Sequence, residues 1–117
     1  MLVMENICRR VKEDELEHVY HYRLLRSNIN LDYSNQLVEV QAYGIEVERQ
    51  DVKDGRIIKI VRDNVKAISP QRHKVQKLLK LLYDNSVSPV HLIDVLGEYI
   101  DEYIIDFDEE IMNIAIN

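Results

Sequence analysis

Along the first 69 residues apolar and polar side chains alternate, the period of a half-buried β-strand; after residue 69 the apolar positions fall at helical spacing. Leu16 to Arg26 is rich in aromatic and β-branched residues and sets Leu16, His18, Tyr20, Tyr22 and Leu24 on one face of a strand. Residues 2–12 supply an earlier strand, with Glu13-Asp14-Glu15 as its turn. Ser27 to Gln36, with Asn28, Asn30, Asp32 and Asn35, reads as a polar loop. Leu37 to Arg49 is a second long strand whose alternation changes phase: Val38, Val40 and Ala42 share one parity, and Tyr43, Ile45 and Val47 the other. Gly44 lies at that change and predicts a bulge or bend. Asp54-Gly55 closes a hairpin onto Arg56–Arg62, and Asp63-Asn64 turns into a short strand over 65–68. Consecutive strands with short connections make an antiparallel meander of four to five strands.

Ser69-Pro70 and Ser88-Pro89 each place a capping residue before a proline suited to the first helical turn. The first helix, 70–85, carries Val75, Leu78, Leu79 and Leu82 on one stripe. The second spans 89–105 or longer. Val87 and Leu92 form a hydrophobic staple at its start, and Leu92, Ile93, Leu96, Tyr99, Ile100, Tyr103 and Ile104 trace its apolar face. That stripe continues through Phe107, Ile111 and Ile114. The fold class that results is α+β, one domain over 1–117: a sheet over about 2–69, then an antiparallel helix pair packed on one sheet face. Residues 106–117 form an acidic, then apolar, end.

Charge sharpens this picture. The formal net charge is -6, yet residues 1–69 hold 11 basic and 12 acidic side chains, residues 70–85 four and one, and residues 86–117 none and eight. Arg72 and Lys74 stand early in their helix and Asp101, Glu102 and Asp106 late in theirs, each against the helix dipole. A hairpin of antiparallel helices places Arg72 and Lys74 near Asp101 and Glu102, and Lys77 and Lys80 near Asp94 and Glu98. The misplaced charges are expected to complement one another there. Asp106, Asp108, Glu109 and Glu110 lie beyond the reach expected of the first helix.

Candidate chemistry is sparse. His18 and His21 point to opposite faces of a strand and cannot share a metal ion. No Asp-x-Asp-x-Asp-Gly stretch occurs, and Gly44, Gly55 and Gly97 are too scattered for a phosphate loop. The carboxylates over 98–110 lie on a solvated face, without the enclosing pocket that an acid–base pair needs. Cys8, the single cysteine, has no paired base near it in sequence and reads as a small strand residue in a reducing compartment. Tyr20, Tyr22 and Tyr43 are expected to cluster across strands, as core if the helices cover them and as a binding platform if not. Residues 1–6 lack a basic segment followed by an apolar run, so no secretory leader is expected, and no apolar run is long enough to span a bilayer.

Two stretches, Ala42-Tyr43-Gly44-Ile45-Glu46-Val47-Glu48 and 84–96 with its Val87-Ser88-Pro89-Val90-His91-Leu92-Ile93-Asp94-Val95 core, carry a resemblance. With Ile68-Ser69 ahead of the first helix, they resemble an uncharacterised family of small proteins from clostridial Firmicutes. In that family Tyr-Gly-Ile-Glu stands at mid-chain and Val-(Ser/Thr)-Pro-x-x-Leu-x-Asp-Val follows a leucine-rich helix. The resemblance covers most of 16–105 and implies a bacterial cytoplasmic setting. It carries no catalytic residues.

The expectation is a small non-enzymatic binding or regulatory protein without a cofactor, metal or membrane. Its acidic C-terminal helix, through Asp101, Glu102, Asp106, Asp108, Glu109 and Glu110, engages a basic protein surface. The same helix could pair two copies as a homodimer. The negative charge argues against direct nucleic-acid binding. Two alternatives differ in class: an acidic mimic of nucleic acid, such as a phage-type or anti-CRISPR inhibitor, and a small enzyme with a pocket between sheet and helices.

Overall fold

The computed structural model describes the backbone of residues 1–116 and the side chains of 1–115. Four strands, β1 (Leu2–Glu13), β2 (Leu16–Tyr33), β3 (Gln36–Lys53) and β4 (Arg56–Ser69), form one antiparallel sheet in the order β1-β2-β3-β4. Two helices follow, α1 (Arg72–Asp84) and α2 (Leu92–Ile116), with a 3-10 turn at Pro89–His91 between them. The α+β class and the meander agree with the sequence pattern. The molecule is long and narrow, 57 × 22 × 19 Å, because β2 and β3 are 18 residues each.

Three local expectations are corrected. Ser27–Tyr33 is strand, not loop: Asn28, Asn30 and Asp32 face solvent while Ile29 and Leu31 between them are half-buried. That is period-two alternation with a strongly polar outer row. The turn is Ser34-Asn35, both at positive φ (50° and 66°), the type I′ geometry that Asp54-Gly55 also adopts at φ 51° and 75°. Asp63-Asn64 makes no turn, and β4 runs unbroken to Ser69, so the described residues form four strands and no fifth. Finally, α1 starts at Arg72 behind a Gln71 cap with no side-chain bond, not at Pro70. The Ser69 hydroxyl instead accepts from the Gln71 N–H at 3.1 Å, closing the turn before the helix.

The phase change in β3 has a different cause from the one expected. The β2–β3 ladder keeps one register from Glu17↔Val52 to Tyr33↔Gln36. Burial nevertheless changes parity in both strands at the same level, where Leu24 and Leu25 are both buried and so are Ala42, Tyr43 and Ile45. A right-handed ribbon turns its faces over with length, so one side of the molecule is met first by one parity and then by the other. The bulge at Gly44 is real but belongs to the β3–β4 ladder. Tyr43 pairs with Ser69 and Ile45 with Val65, so Lys66, Ala67 and Ile68 crowd opposite Gly44. A Cβ at Gly44 would lie 2.1 Å from the Val65 carbonyl oxygen and 2.4 Å from that of Lys66.

The core sits between the sheet and the helices, where Tyr22, Leu24, Ile45 and Val47 meet Val75, Leu78, Leu79, Leu82, Leu92 and Leu96. Each fully buried aliphatic side chain contributes about 1.5–3 kcal/mol. The tyrosines belong to this core. Tyr20 stacks on Tyr22 at 6.0 Å, Tyr83 meets Tyr22 edge-on, and Tyr22, Tyr20 and Tyr43 are at most 9 % exposed. The Tyr22 hydroxyl donates to the Val87 carbonyl at 2.9 Å, tying the interhelix turn to the sheet. Burial, then the neighbouring Tyr20 hydroxyl, pushes the Tyr22 hydroxyl well above its ordinary pKa. After α1, Ser86 takes a left-handed conformation (φ 49°), and Val87 N–H bonds the Leu82 carbonyl while Ser86 N–H bonds that of Tyr83. This is a Schellman cap, which ends the helix where Asp84-Asn85 predicts.

Gly44→Ala should therefore cost about 2–4 kcal/mol in urea unfolding, since two backbone carbonyls of a paired strand must move. Gly97→Ala, where an added Cβ meets nothing within 4 Å, should be neutral or stabilising by up to about 1 kcal/mol. Equal effects at the two sites would contradict the close approach at Gly44.

Candidate functional site

The acidic segment is helical through Ile116, and its charges fall into two sets. At 3.6 residues per turn, Asp94, Glu98, Asp101, Glu102, Asp108 and Glu109 lie within a sector of roughly 120°, and all six are exposed. Among the described residues none of them forms an ion pair with a cation of this chain. Exposed Ile105 and Met112 lie in the same sector. Glu110 is half-buried on another side of the helix.

Asp106 belongs to the other set, and its assignment to an exposed acidic surface is corrected. It is only 5 % exposed and lies within reach of α1 after all. Lys74 Nζ donates to both carboxylate oxygens, at 3.0 and 2.8 Å, and the Ser69 hydroxyl donates at 3.0 Å. The hydrogen bond to Asp106 raises the Lys74 pKa against the cost of desolvation, and the Lys74 ammonium also sits 5.0 Å from the Tyr103 ring centre. The end of β4, the first turn of α1 and the middle of α2 thus meet at one carboxylate.

The expected charge complement across the helix pair is corrected in the same way. Arg72 pairs with Glu5 of β1 at 3.5 Å and Lys80 with Asp84 of its own helix at 4.0 Å, while Lys77 has no ion pair among the described residues. Lys74 alone crosses to α2, and it reaches Asp106 rather than Asp101 or Glu102. Among the described residues the outer face of α2 therefore forms no salt bridge, and only Glu109 feels the Lys74 charge at longer range.

Beside this face runs an apolar groove of about 380 Å³. Ile29, Leu31 and Ala67 of the sheet form one wall, and Ile100, Ile104 and Phe107 of α2 the other. Asp32 and Asp108 line it as well, and a smaller hollow continues past the same two carboxylates toward Tyr33 and Met112. Neither Asp32 nor Asp108 has an ion-pair partner among the described residues. The Ile29–Asp32 wall was hidden by the polar composition of its segment. The alternation of Ile29 and Leu31 with Asn28, Asn30 and Asp32 was the signal that could have found it.

Three polar clusters lie elsewhere on the sheet. His18 is clamped between Asp51 (2.6 Å) and Glu13 (3.1 Å), with Arg49 bridging Asp51 at 3.0 Å. Although burial opposes ionisation, the hydrogen bond from His18 and the Arg49 charge hold the Asp51 carboxyl below its usual pKa. On the opposite face Glu48 accepts from Gln50 at 3.0 Å and pairs with Arg23 and Arg62. There, burial is again outweighed and the Glu48 pKa is lowered. Cys8, expected to lack a paired base, is exposed and stands directly across from His21, with Sγ 3.1 Å from Nδ1. His18 and His21 do occupy opposite faces. Among the described residues no group of three or more His, Cys, Asp or Glu is placed to hold a metal ion, and no helix is long and apolar enough to cross a membrane.

Fold and site together define a small α+β protein: a four-stranded meander carrying two helices, the second with an unneutralised acidic face beside an apolar groove. Residues 1–102 match the Family of unknown function (DUF6514), and the chain belongs to that family. The match ends before Asp106 and the last turns of α2. No curated protein and no solved structure gives a match.

Two outcomes follow from the polar geometry. Asp106→Ala leaves the buried Ser69 O–H donor without its acceptor and Lys74 without its carboxylate, and the lost acceptor alone costs about 1–3 kcal/mol. Asp101→Ala and Glu102→Ala should each stay within about 0.5 kcal/mol of the parent in chemical denaturation; a similar loss at all three would remove the distinction drawn here. Asp51 contributes stability that is present above the unfolded carboxyl pKa of about 3.9 and lost as pH falls through its lowered folded value. The stability gap between the parent and Asp51→Asn should therefore be widest near neutrality and close below about pH 4. A gap independent of pH from neutral to acid would contradict this assignment.

Proposed function

We propose that this chain is a small non-enzymatic binding or regulatory protein of the bacterial cytoplasm whose acidic α2 face engages a basic surface on a partner protein. The observation that supports this reading best is that six exposed carboxylates share one sector of α2 and, among the described residues, no cation forms an ion pair with them. In isolation the arrangement is unfavourable. Carboxylates in the later half of a helix oppose its dipole, and like charges at i, i+4 repel. A cationic partner relieves both penalties and is steered toward the face at a rate that falls with salt.

A second reading, the acidic mimic of nucleic acid, is favoured by spacing. Six carboxylates from Asp94 to Glu109 span roughly 22 Å at 1.5 Å per residue, a mean step of about 4.5 Å. A nucleic-acid strand carries about one charge per 3.4 Å. In this reading the partner's basic surface is a nucleic-acid groove.

Quadruple charge reversal (Asp101→Lys, Glu102→Lys, Asp108→Lys, Glu109→Lys) tests both. It spares Asp106 and the packing of α2, unlike removal of 106–117. A partner captured from a lysate of the source cell at low salt should be lost at high salt and lost with the variant. Retention under both conditions would refute the acidic-face reading. Displacement of the captured partner by duplex DNA or RNA would select the mimic; indifference to both would select a protein-only surface.

A further inference from the structure

Along α2, Ile100, Ile104, Phe107, Ile111 and Ile114 are separated by four, three, four and three residues. That is the 3.5-residue repeat of a helix that packs along a second helix. The sheet covers only part of this row. Ile111 is 5 % exposed, but Ile104 is 64 % and Ile114 43 % exposed, and the open groove lies along the uncovered part. In a seam of this kind the flanking positions choose the partner. Here they are Asp101 and Asp108 on one side and Tyr103 and Glu110 on the other, none of them basic. Asp32 adds a further carboxylate from the opposite wall.

We propose that the groove is a docking site for an amphipathic helix of another protein, with aliphatic side chains at the seam and Lys or Arg at the flanks. This rests on the acidic-face reading and specifies the partner's chemistry. The 4-3-4-3 spacing fits a helical occupant, and its positive charge is set by Asp101, Asp108 and Asp32, which form no ion pair among the described residues. The flanks also disfavour the homodimer that an apolar C-terminal helix invites, because a second copy would bring carboxylate against carboxylate. The uncovered stretch from Ile104 to Ile114 rises roughly 15 Å, enough for nearly three turns of a bound helix.

Three synthetic 21-residue peptides, read by fluorescence anisotropy against the full chain, test the proposal. One carries leucine at the seam and lysine at the flanks, one leucine and glutamate, and one serine and lysine. The leucine–lysine peptide should bind, and its affinity should fall by about tenfold or more on Ile104→Asp, which removes one exposed apolar anchor. It should weaken similarly with Asp101→Lys plus Asp108→Lys, and the other two peptides should bind at least about tenfold less well. Circular dichroism confirms that the variants are folded; Ile104 is exposed and its replacement leaves the core intact. Equal binding of the serine–lysine peptide, or full binding by Ile104→Asp, would overturn the groove while leaving the acidic face as the partner site. Failure of the leucine–lysine peptide to bind would overturn the docking site, and capture of the cellular partner would then judge the acidic face separately. Self-association in sedimentation equilibrium that Ile104→Asp abolishes would also overturn the proposal, assigning the seam to a second copy.

Discussion

The carboxylate of Asp106 sets the orientation of everything after the sheet. A buried carboxylate is tolerable only when its oxygens are satisfied and its charge is paired. Here the Lys74 ammonium reaches both oxygens and the buried Ser69 hydroxyl takes one of them. Those partners come from the first turn of α1 and the last residue of β4, so three elements must arrive together for any of them to be satisfied. Once Asp106 points inward, the helical period decides the rest. Asp94, Glu98, Asp101, Glu102, Asp108 and Glu109 turn outward, and Ile100, Phe107 and Ile111 turn toward the sheet.

The long β2–β3 ribbon gives that helix something to lie against. Its uninterrupted register and right-handed twist let Tyr22, Leu24, Ile45 and Val47 meet α1 at one level. Beyond Gly44 the opposite parity, Ile29 and Leu31, meets the later turns of α2. Gly44 makes the crossing feasible, since no side chain larger than hydrogen fits against the crowded carbonyls of β4. Contact between ribbon and helix is incomplete at the far end, and the groove is what remains.

Several local rules are broken on the outer face of α2 with no ion pair among the described residues to offset them. Its later half is acidic where the dipole favours cations, no Lys or Arg stands four residues away to offset this, and Ile104, Ile105 and Met112 are exposed. By contrast, α1 ends in a fully bonded Schellman cap and the hairpin turns at Ser34-Asn35 and Asp54-Gly55 have the backbone geometry their positions need. Departures concentrated on one face of one element, in an otherwise consistent fold, are where binding is best sought.

How much of this could be read from residues alone depends on how far each signal reaches. The meander, the Asp54-Gly55 turn, the leucine stripe of α1 and the apolar face of α2 are set by neighbours within a few positions, and periodicity carries them. Ser27–Tyr33 was obscured because its solvent row is all polar, although Ile29 and Leu31 keep the strand period. Which Lys meets which carboxylate was beyond local reading. Pairing Lys74 with Asp106, and Arg72 with Glu5 of a strand 67 residues earlier, depends on the separation and rotation of α1 and α2 over the sheet. Sequence by itself therefore determined that α2 is acidic on one side and apolar on another. Only tertiary packing decided that one carboxylate is buried as an anchor, that six at the surface form no ion pair among the described residues, and that part of the apolar row is left open, because burial depends on what the remainder of the chain brings alongside.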